Sequence, residues 1–310
     1  MKILVTGGAG FIGSHISDTL IGNGHTVVVL DDLSSGNRSN VSPKAEFVQG
    51  SIANREFINE LFDKYQFDIV DHHAAQVDVR KSVADPAADA QTNIIGSINL
   101  LEASRRSGVK HFIFASTGGA IYGEQDHFPA DESHPTRPES PYGAAKRSVE
   151  TYLEYYRKIY GLNYTIFRYS NVYGPRQDPH GEAGVVAIFC SALIESRQAF
   201  IFGDGKQTRD YVYVGDLVSA HLKALENINR SGTYNISTGI ETDVNTIFTI
   251  LSNYLSNGKS IAKYADARLG EQFRSVCDPK KVARELGWKP RTTLEEGLRL
   301  TADYFKQVLG

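Results

Sequence analysis

The chain has 310 residues, of which 41% are hydrophobic and 22% charged, with a formal net charge of −3. That suits a globular protein able to bury a sizeable core, as one large domain or two unequal ones, and without a long basic run it argues against nucleic acid or an anionic membrane as partner. The two cysteines, Cys190 and Cys277, lie far apart and outside any C-x-x-C, which fits a reducing compartment and neither a disulfide scaffold nor structural zinc.

In chain order, "MKILVTGG" carries a three-residue apolar run, too short for a signal peptide. No apolar run is long enough to cross a bilayer, so the expected location is cytoplasmic. The stretches "KILVT" (2–6), "TVVVL" (26–30), "EFVQ" (46–49), "DIVDHH" (68–73), "HFIFAS" (111–116) and "YTIFR" (164–168) predict strands. They are short, bounded and mostly unalternating, as strands buried on both faces of a parallel sheet are. The segments between them, "FIGSHISDTLIGNG", "NREFINELFDKY", "NIIGSINLLEASRRSG" and "SPYGAAKRSVETYLEYYRKIYG", space their apolar residues three and four apart; three of them close on glycine, a common helix stop. Strand–helix alternation implies right-handed βαβ units and an α/β, doubly wound parallel Rossmann sheet. After about residue 172 the rhythm changes: a turn-rich loop, a helix over 185–196, strands at 210–214 and 233–237, and a tail helical in two pieces. Residues 1–172 are expected to bind a dinucleotide, and 173–310 to form mainly a smaller α/β substrate lobe, with later segments free to return to the first unit.

"TGGAGFIG" follows the first strand and opens the first helix, satisfying G-x-G-x-x-G through Gly8, Gly10 and Gly13 and the looser spacing Gly7, Gly10, Gly13. Glycines there permit a tight turn and close backbone approach, so that a pyrophosphate sits on the helix N-terminus. Asp31 ends the second strand, eighteen residues after Gly13, where a carboxylate takes ribose hydroxyls and repels a 2′-phosphate, favouring NAD over NADP. In "SPYGAAK", Tyr142 and Lys146 are four apart and so share a helix face. Beside an ammonium and a cationic nicotinamide ring, the Tyr142 phenol, ordinarily near pKa ~10, is expected to ionise more readily and to act as a base on an alcohol. "ASTGGAIYG" supplies a hydroxyl for the reacting oxygen, Thr117 or alternatively Ser116.

Together these residues resemble the extended short-chain dehydrogenase/reductase family and, within it, are similar to the UDP-glucose 4-epimerases. The resemblance runs through "ILVTGGAGFIGSH", "VVLDDLSSG", "HHAAQ", "TNIIGSINLLEA", "STGGAIYG", "SPYGAAK", "FRYSNVYGPRQ", "FGDGKQTRDYVYVGDL", "ARLGE" and "LGWKP". It implies a bound NAD that oxidises a UDP-hexose at C4, a 4-keto intermediate that turns over in the site, and return of hydride to its other face. It places Gly7, Gly10, Phe11, Ile12 and Gly13 at the pyrophosphate, Asp31 at the adenosine ribose, Asp32, Ser35 and Gly36 also in the cofactor site, and Ser51 and Ile52 near adenine. Ala74, Ala75, Gln76, Asn93 and Tyr169 would line the cofactor with Tyr142 and Lys146. Asn171, Val185, Val186, Arg209, Arg268 and Glu271 would meet the substrate with Thr117, and Ser275 would stand beside the sugar C2 substituent. A homodimer through helices at about 88–107 and 141–160 is implied, for which Tyr152, Tyr155 and Tyr156 serve as well as they serve the chain's own core.

The sequence departs from the family pattern at Ser51, where an aspartate is usual, at His73, at Leu269 and Glu271, and in the extra glycine of "STGGAIYG". Adjacent histidines on a strand face opposite sides, so His72 and His73 are not expected to share a metal, and none is expected elsewhere. Two rival readings are a dehydratase or decarboxylase of the same family and a dinucleotide-sensing protein without catalysis. Dehydratases usually carry an Asp-Glu pair after the threonine, where this chain has Gly118 and Gly119; a sensor would usually have lost Tyr142 or Lys146.

Overall fold

In the computed structural model, which describes residues 1–180, 184–267 and 272–310, the apolar runs of the first half form parallel strands with helices between them. β1 (Lys2–Thr6), α1 (Phe11–Gly22), β2 (Thr26–Asp31), β3 (Glu46–Gln49), α2 (Arg55–Lys64) and β4 (Ile69–His72) come first. Two short helices, α3 (Val79–Ala84) and α4 (Pro86–Ala90), precede a π-helical turn at Gln91–Ile95 and α5 (Gly96–Ser107). Then follow β5 (His111–Thr117), α6 (Gly118–Ile121), α7 (Pro141–Tyr160) and β6 (Asn163–Tyr169). Side-chain caps start several helices where the sequence supplies them: Ser140 accepts from the amide of Gly143 at α7, and Asn54 from that of Phe57 at α2. Gly108 and Gly161 close α5 and α7 in the left-handed conformation, at φ 71 and 75, the usual helix stop.

The second half contributes β7 (Asn171–Tyr173), α8 (Val185–Ile194), β8 (Phe200–Phe202), β9 (Thr208–Tyr213), α9 (Val214–Glu226), β10 (Gly232–Ile236), β11 (Glu241–Asp243) and α10 (Val244–Ser256). It ends with β12 (Lys263–Ala265), β13 (Arg274–Ser275), α11 (Lys280–Leu286) and α12 (Leu294–Leu309). The large sheet is parallel, with strand order β10-β6-β5-β4-β1-β2-β3. Its order reverses between β1 and β4, which leaves a crevice at the carboxyl ends of these strands. Thr6 pairs with His72 and with Leu30, and Thr117 with Tyr169, so the strands end level beneath that crevice.

One apolar core lies under α1 and α9, a second on the opposite face under α2, α5 and α7, and a third joins α8, α10 and α12. Because β10 pairs with β6 and α9 packs on α1, residues 214–236 belong to the layers of the large sheet rather than to a separate second unit. The tail differs from the expected two helical pieces in their placement. Gly287 at φ 69 stops α11, and the buried Trp288 anchors the turn by donating to the Asp216 carbonyl and the Ser219 hydroxyl. Residues 287–293 are therefore not helical, and α12 is continuous. Among the described residues, no helix is long and apolar enough to cross a membrane.

Candidate active site

Gly7, at φ 68, turns the chain out of β1 so sharply that a Cβ would stand 2.6 Å from the Ala74 nitrogen. A Cβ at Gly13 would stand 2.3 Å from the Gly7 carbonyl oxygen, and one at Gly8 2.8 Å from a methyl of Val29. The loop is a cradle that any side chain would fill. Phe11 and Ile12 open α1 directly behind Gly10, and the first-turn amides of a helix lack intrahelical partners, which suits an anionic diphosphate. Asp31 is buried at the end of β2; its carboxylate accepts from the amides of Ala9 at 3.0 Å and Leu33 at 2.8 Å. Burial pushes its carboxyl up, against these two amides. Gly36 lies against it, since a Cβ there would stand 2.7 Å from Oδ1. Asp32 and Ser35 are exposed beside it. These residues fit the adenosine half of a dinucleotide. Arg38 stacks its guanidinium 4.4 Å from the Phe47 ring centroid.

On the other side of the crevice, Ser51 is half-buried with its hydroxyl accepting from the Ala53 amide. The Ile52 side chain is buried against Gly96, so it belongs to the core under α5. Ala74, Ala75 and Gln76 leave β4 half-buried, braced by Asn93. Asn93 accepts from the Gln76 amide and donates to the Gln76 carbonyl, both at 2.9 Å. The π-helical turn aims it there, a local irregularity common at functional sites. Asp89, which no sequence pattern singled out, is buried and holds this clamp from below, accepting from Asn93 and from the Gln76 side chain through one oxygen. The histidines of "HHAAQ" face opposite sides as expected: His72 bonds Thr6 and Ser97, while His73 turns to Asp71. Asp71, His73 and His221 bring three ligand-type atoms within 4.8 Å, yet these atoms are joined to one another by hydrogen bonds of 2.8 Å.

The "SPYGAAK" helix mouth sets Lys146 beside Tyr142 and against β5. Lys146 is buried, with its ammonium donating to the Ala115 carbonyl at 2.9 Å and lying 5.8 Å from the Tyr142 ring centroid. Burial lowers Lys146 to about 8, against the pull of Asp89 and Glu150. In the protein without a cofactor, burial and then the Asp89 carboxylate push the Tyr142 phenol up. The protein's own groups hold it protonated, so any ionisation depends on the positive charge of a bound cofactor. The structure also separates the two candidate hydroxyls. Ser116 is buried and donates to Glu150 at 2.7 Å, within a pair in which Arg168 grips Glu150 at 3.0 and 2.7 Å. Thr117, on the other face of the strand end, is half-buried and caps α6 by accepting from the Ala120 amide. Tyr169 pairs with Thr117 along the strands, and its hydroxyl is bonded to His221 at 2.7 Å.

Three of the expected substrate residues, Asn171, Arg209 and Ser275, meet along β9. Arg209 pairs across the strands with Ser275, and Asn171 pairs with Tyr211 two residues further on. Asn171 is exposed, Val185 half-buried and Val186 buried at the start of α8. Ser275 is buried rather than solvated at a strand end. Arg268 and Glu271 lie outside the described residues. The aromatic cluster on α7 divides: Tyr156 is buried and donates to Glu102, whereas Tyr152 and Tyr155 are exposed, beside exposed Ile159 and Tyr160 that no sequence pattern marked.

Residues 3–237 match the profile of the NAD dependent epimerase/dehydratase family. Among solved structures, the chain is 50% identical to a UDP-glucose 4-epimerase of Thermotoga maritima solved with UDP-glucose, covering 100% of both chains at a TM-score of 0.96. It is 42% identical to a Thermus thermophilus UDP-glucose 4-epimerase in complex with NAD, again covering 100% of both, at a TM-score of 0.93. A UDP-N-acetylglucosamine 4-epimerase of Methanobrevibacter ruminantium, in complex with UDP-N-acetylmuramic acid, is 35% identical over 99% of both chains at a TM-score of 0.94.

Proposed function

The chain belongs to the NAD dependent epimerase/dehydratase family, and from that premise we propose that it interconverts UDP-hexoses epimeric at C4, UDP-glucose and UDP-galactose foremost, through a transient 4-keto sugar. The observation that carries this reading is the Lys146 ammonium, which lies 5.8 Å from the Tyr142 ring centroid and donates to the Ala115 carbonyl, two residues before Thr117 on β5. Bound NAD supplies a hydride acceptor and donor and recovers its oxidation state each cycle. Tyr142 takes the C4 hydroxyl proton and later returns it. Lys146 holds the nicotinamide ribose and biases Tyr142 toward ionisation, and Thr117 hydrogen-bonds the reacting oxygen. Arg209, with Arg268 and Asn171, grips the diphosphate through charge-assisted bonds. Elimination of water is disfavoured because Gly118 and Gly119 follow Thr117, where an acid pair would be needed. Location in the cytoplasm and a homodimer through α5 and α7 complete the proposal; the exposed Tyr152, Tyr155, Ile159 and Tyr160 on α7 support the second.

The direct test is incubation with UDP-glucose and UDP-galactose, with products separated by chromatography; the epimer is expected, and a 4-keto-6-deoxy sugar or no change would refute it. The N-acetylated pair belongs in the same assay, because Ser275 beside Arg209 is small where a tyrosine would fill the space an acetamido group needs. Wild type is expected to use both pairs. Ser275→Tyr is expected to lose the N-acetylated pair and keep the plain hexoses, whose turnover also reports that this buried site still folds. Equal use of both pairs by that variant would remove Ser275 from the specificity argument.

Cofactor choice follows from Asp31. Purified protein should release NAD on denaturation, and Asp31→Ala should weaken NAD binding more than NADP binding. The loss includes the bond to the Ala9 amide, which ties the carboxylate to the glycine loop. Finding mostly NADP in the native protein would overturn the assignment.

A further inference from the structure

A second buried charge lies under the crevice, outside the Tyr142–Lys146 pair. Asp71, in β4, is 1% exposed and accepts from His73 Nε2 at 2.8 Å through one oxygen and from His221 Nδ1 at 2.8 Å through the other. The His221 ring is itself 1% exposed, and its Nε2 meets the Tyr169 hydroxyl at 2.7 Å. Tyr169 is buried, and His221 is its hydroxyl's hydrogen-bond partner among the described residues. A buried O–H left undonated is costly, so the phenol donates its hydrogen bond to Nε2 and keeps its proton. His221 is then neutral, protonated on Nδ1 toward Asp71. Burial pushes His73 below its ordinary value, while its one bond to Asp71 uses Nε2–H. Burial alone would raise the Asp71 carboxyl, while the N–H bonds it accepts from His221 and His73 favour its charged form. Among the described residues, no lysine or arginine pairs with it.

The group sits close to where the cofactor must lie. The His73–Ala74 peptide is the backbone that a Cβ on Gly7 would strike. The His73 ring stacks on Tyr169 at 6.2 Å and 10°, and Tyr169 pairs with Thr117. The cluster therefore lies between the glycine cradle and the reacting end of the site.

We propose that Asp71, clamped between His73 and His221, is a fixed uncompensated negative charge that sets the redox poise of the bound nicotinamide toward its oxidised, cationic form. This rests on the NAD-binding reading of the same crevice. In the reaction, the sugar C4–H bond breaks with its electron pair going to the nicotinamide, and the hydroxyl proton goes to Tyr142. A cation becomes neutral in that step, so a nearby carboxylate opposes it and favours its reversal, while Lys146 acts in the opposite sense. An epimerase gains from that bias, because a ketone that is quickly reduced again has little time to escape and strand the enzyme with reduced cofactor.

The test is an equilibrium redox titration of the holoenzyme against viologen dyes, read at the NADH absorbance band, for wild type, Asp71→Asn, Asp71→Ser and His221→Gln. Either Asp71 variant is expected to shift the bound NADH:NAD equilibrium at least tenfold toward NADH, which for a two-electron couple is about 30 mV upward. His221→Gln disturbs the same packing but keeps the charge, and is expected to stay within threefold of wild type. A shift below twofold in the Asp71 variants, a shift toward NAD, or an equal shift in His221→Gln overturns the proposal. If neither Asp71 variant folds, nitrogen NMR of histidine-labelled wild type decides: His73 and His221 must both be neutral at pH 7, and an imidazolium at either would cancel the charge and end the proposal. Protein lacking any nicotinamide would instead refute the NAD-binding reading, so the two failures are distinguishable.

Discussion

Tyr142→Phe is expected to lower turnover of UDP-glucose by roughly 10² to 10⁴, the usual contribution of a positioned acid–base group, while NAD content and fold stay as in wild type. The phenylalanine ring fills the same half-buried space at the start of α7, so packing is kept and only the oxygen is lost. Because burial and Asp89 raise the Tyr142 phenol in the protein alone, it is expected to ionise at lower pH with NAD bound than in protein stripped of it. A spectrophotometric phenolate titration of the two forms, with Tyr142→Phe as the blank, would show this. Turnover above half of wild type would take Tyr142 out of the mechanism.

Gly13→Ala is expected to strip the protein of cofactor. The new methyl would lie 2.3 Å from the Gly7 carbonyl oxygen and 2.9 Å from the Gly8 Cα, both main-chain atoms of the same loop. Neither can move without opening the turn, and overpacking of this kind costs about 1–3 kcal/mol. That is roughly a tenfold loss of affinity for each 1.4 kcal/mol taken from the bound state. Gly22→Ala, at the far end of α1 with nothing within 4 Å of the added methyl, is the control and should keep its NAD. Nicotinamide released on denaturation, measured per chain, checks both; a Gly13→Ala variant carrying a full complement would show that the cradle is not where the diphosphate lies.

Part of this was legible along the chain because it depends on neighbours in sequence. Apolar runs of strand length, the glycine spacing behind β1, the aspartate ending β2 and the four-residue interval from Tyr142 to Lys146 are local patterns. A strand or a helix turns each of them directly into geometry. Ser116 and Thr117 show where local pattern stops. They are adjacent and chemically alike, and only the packing of Glu150 and Arg168 behind β5 claims one hydroxyl and leaves the other at the crevice.

Periodicity and short-range spacing are enough for the parallel α/β scaffold, the glycine turn behind β1 and the shared helix face of Tyr142 and Lys146. Tertiary structure alone decided the rest. It returned β10 to the large sheet beside β6, where the Tyr164 amide meets the Ser231 hydroxyl 67 positions along the chain, because pairing with β6 satisfies its backbone while Tyr234 and Ile236 join the core under α1 and α9. It set Ser275 beside Arg209, and it closed Asp71 between His73 and His221, two residues away on one side and 150 on the other. Burial of a charge is a property of everything packed around it, and no spacing along the chain encodes that.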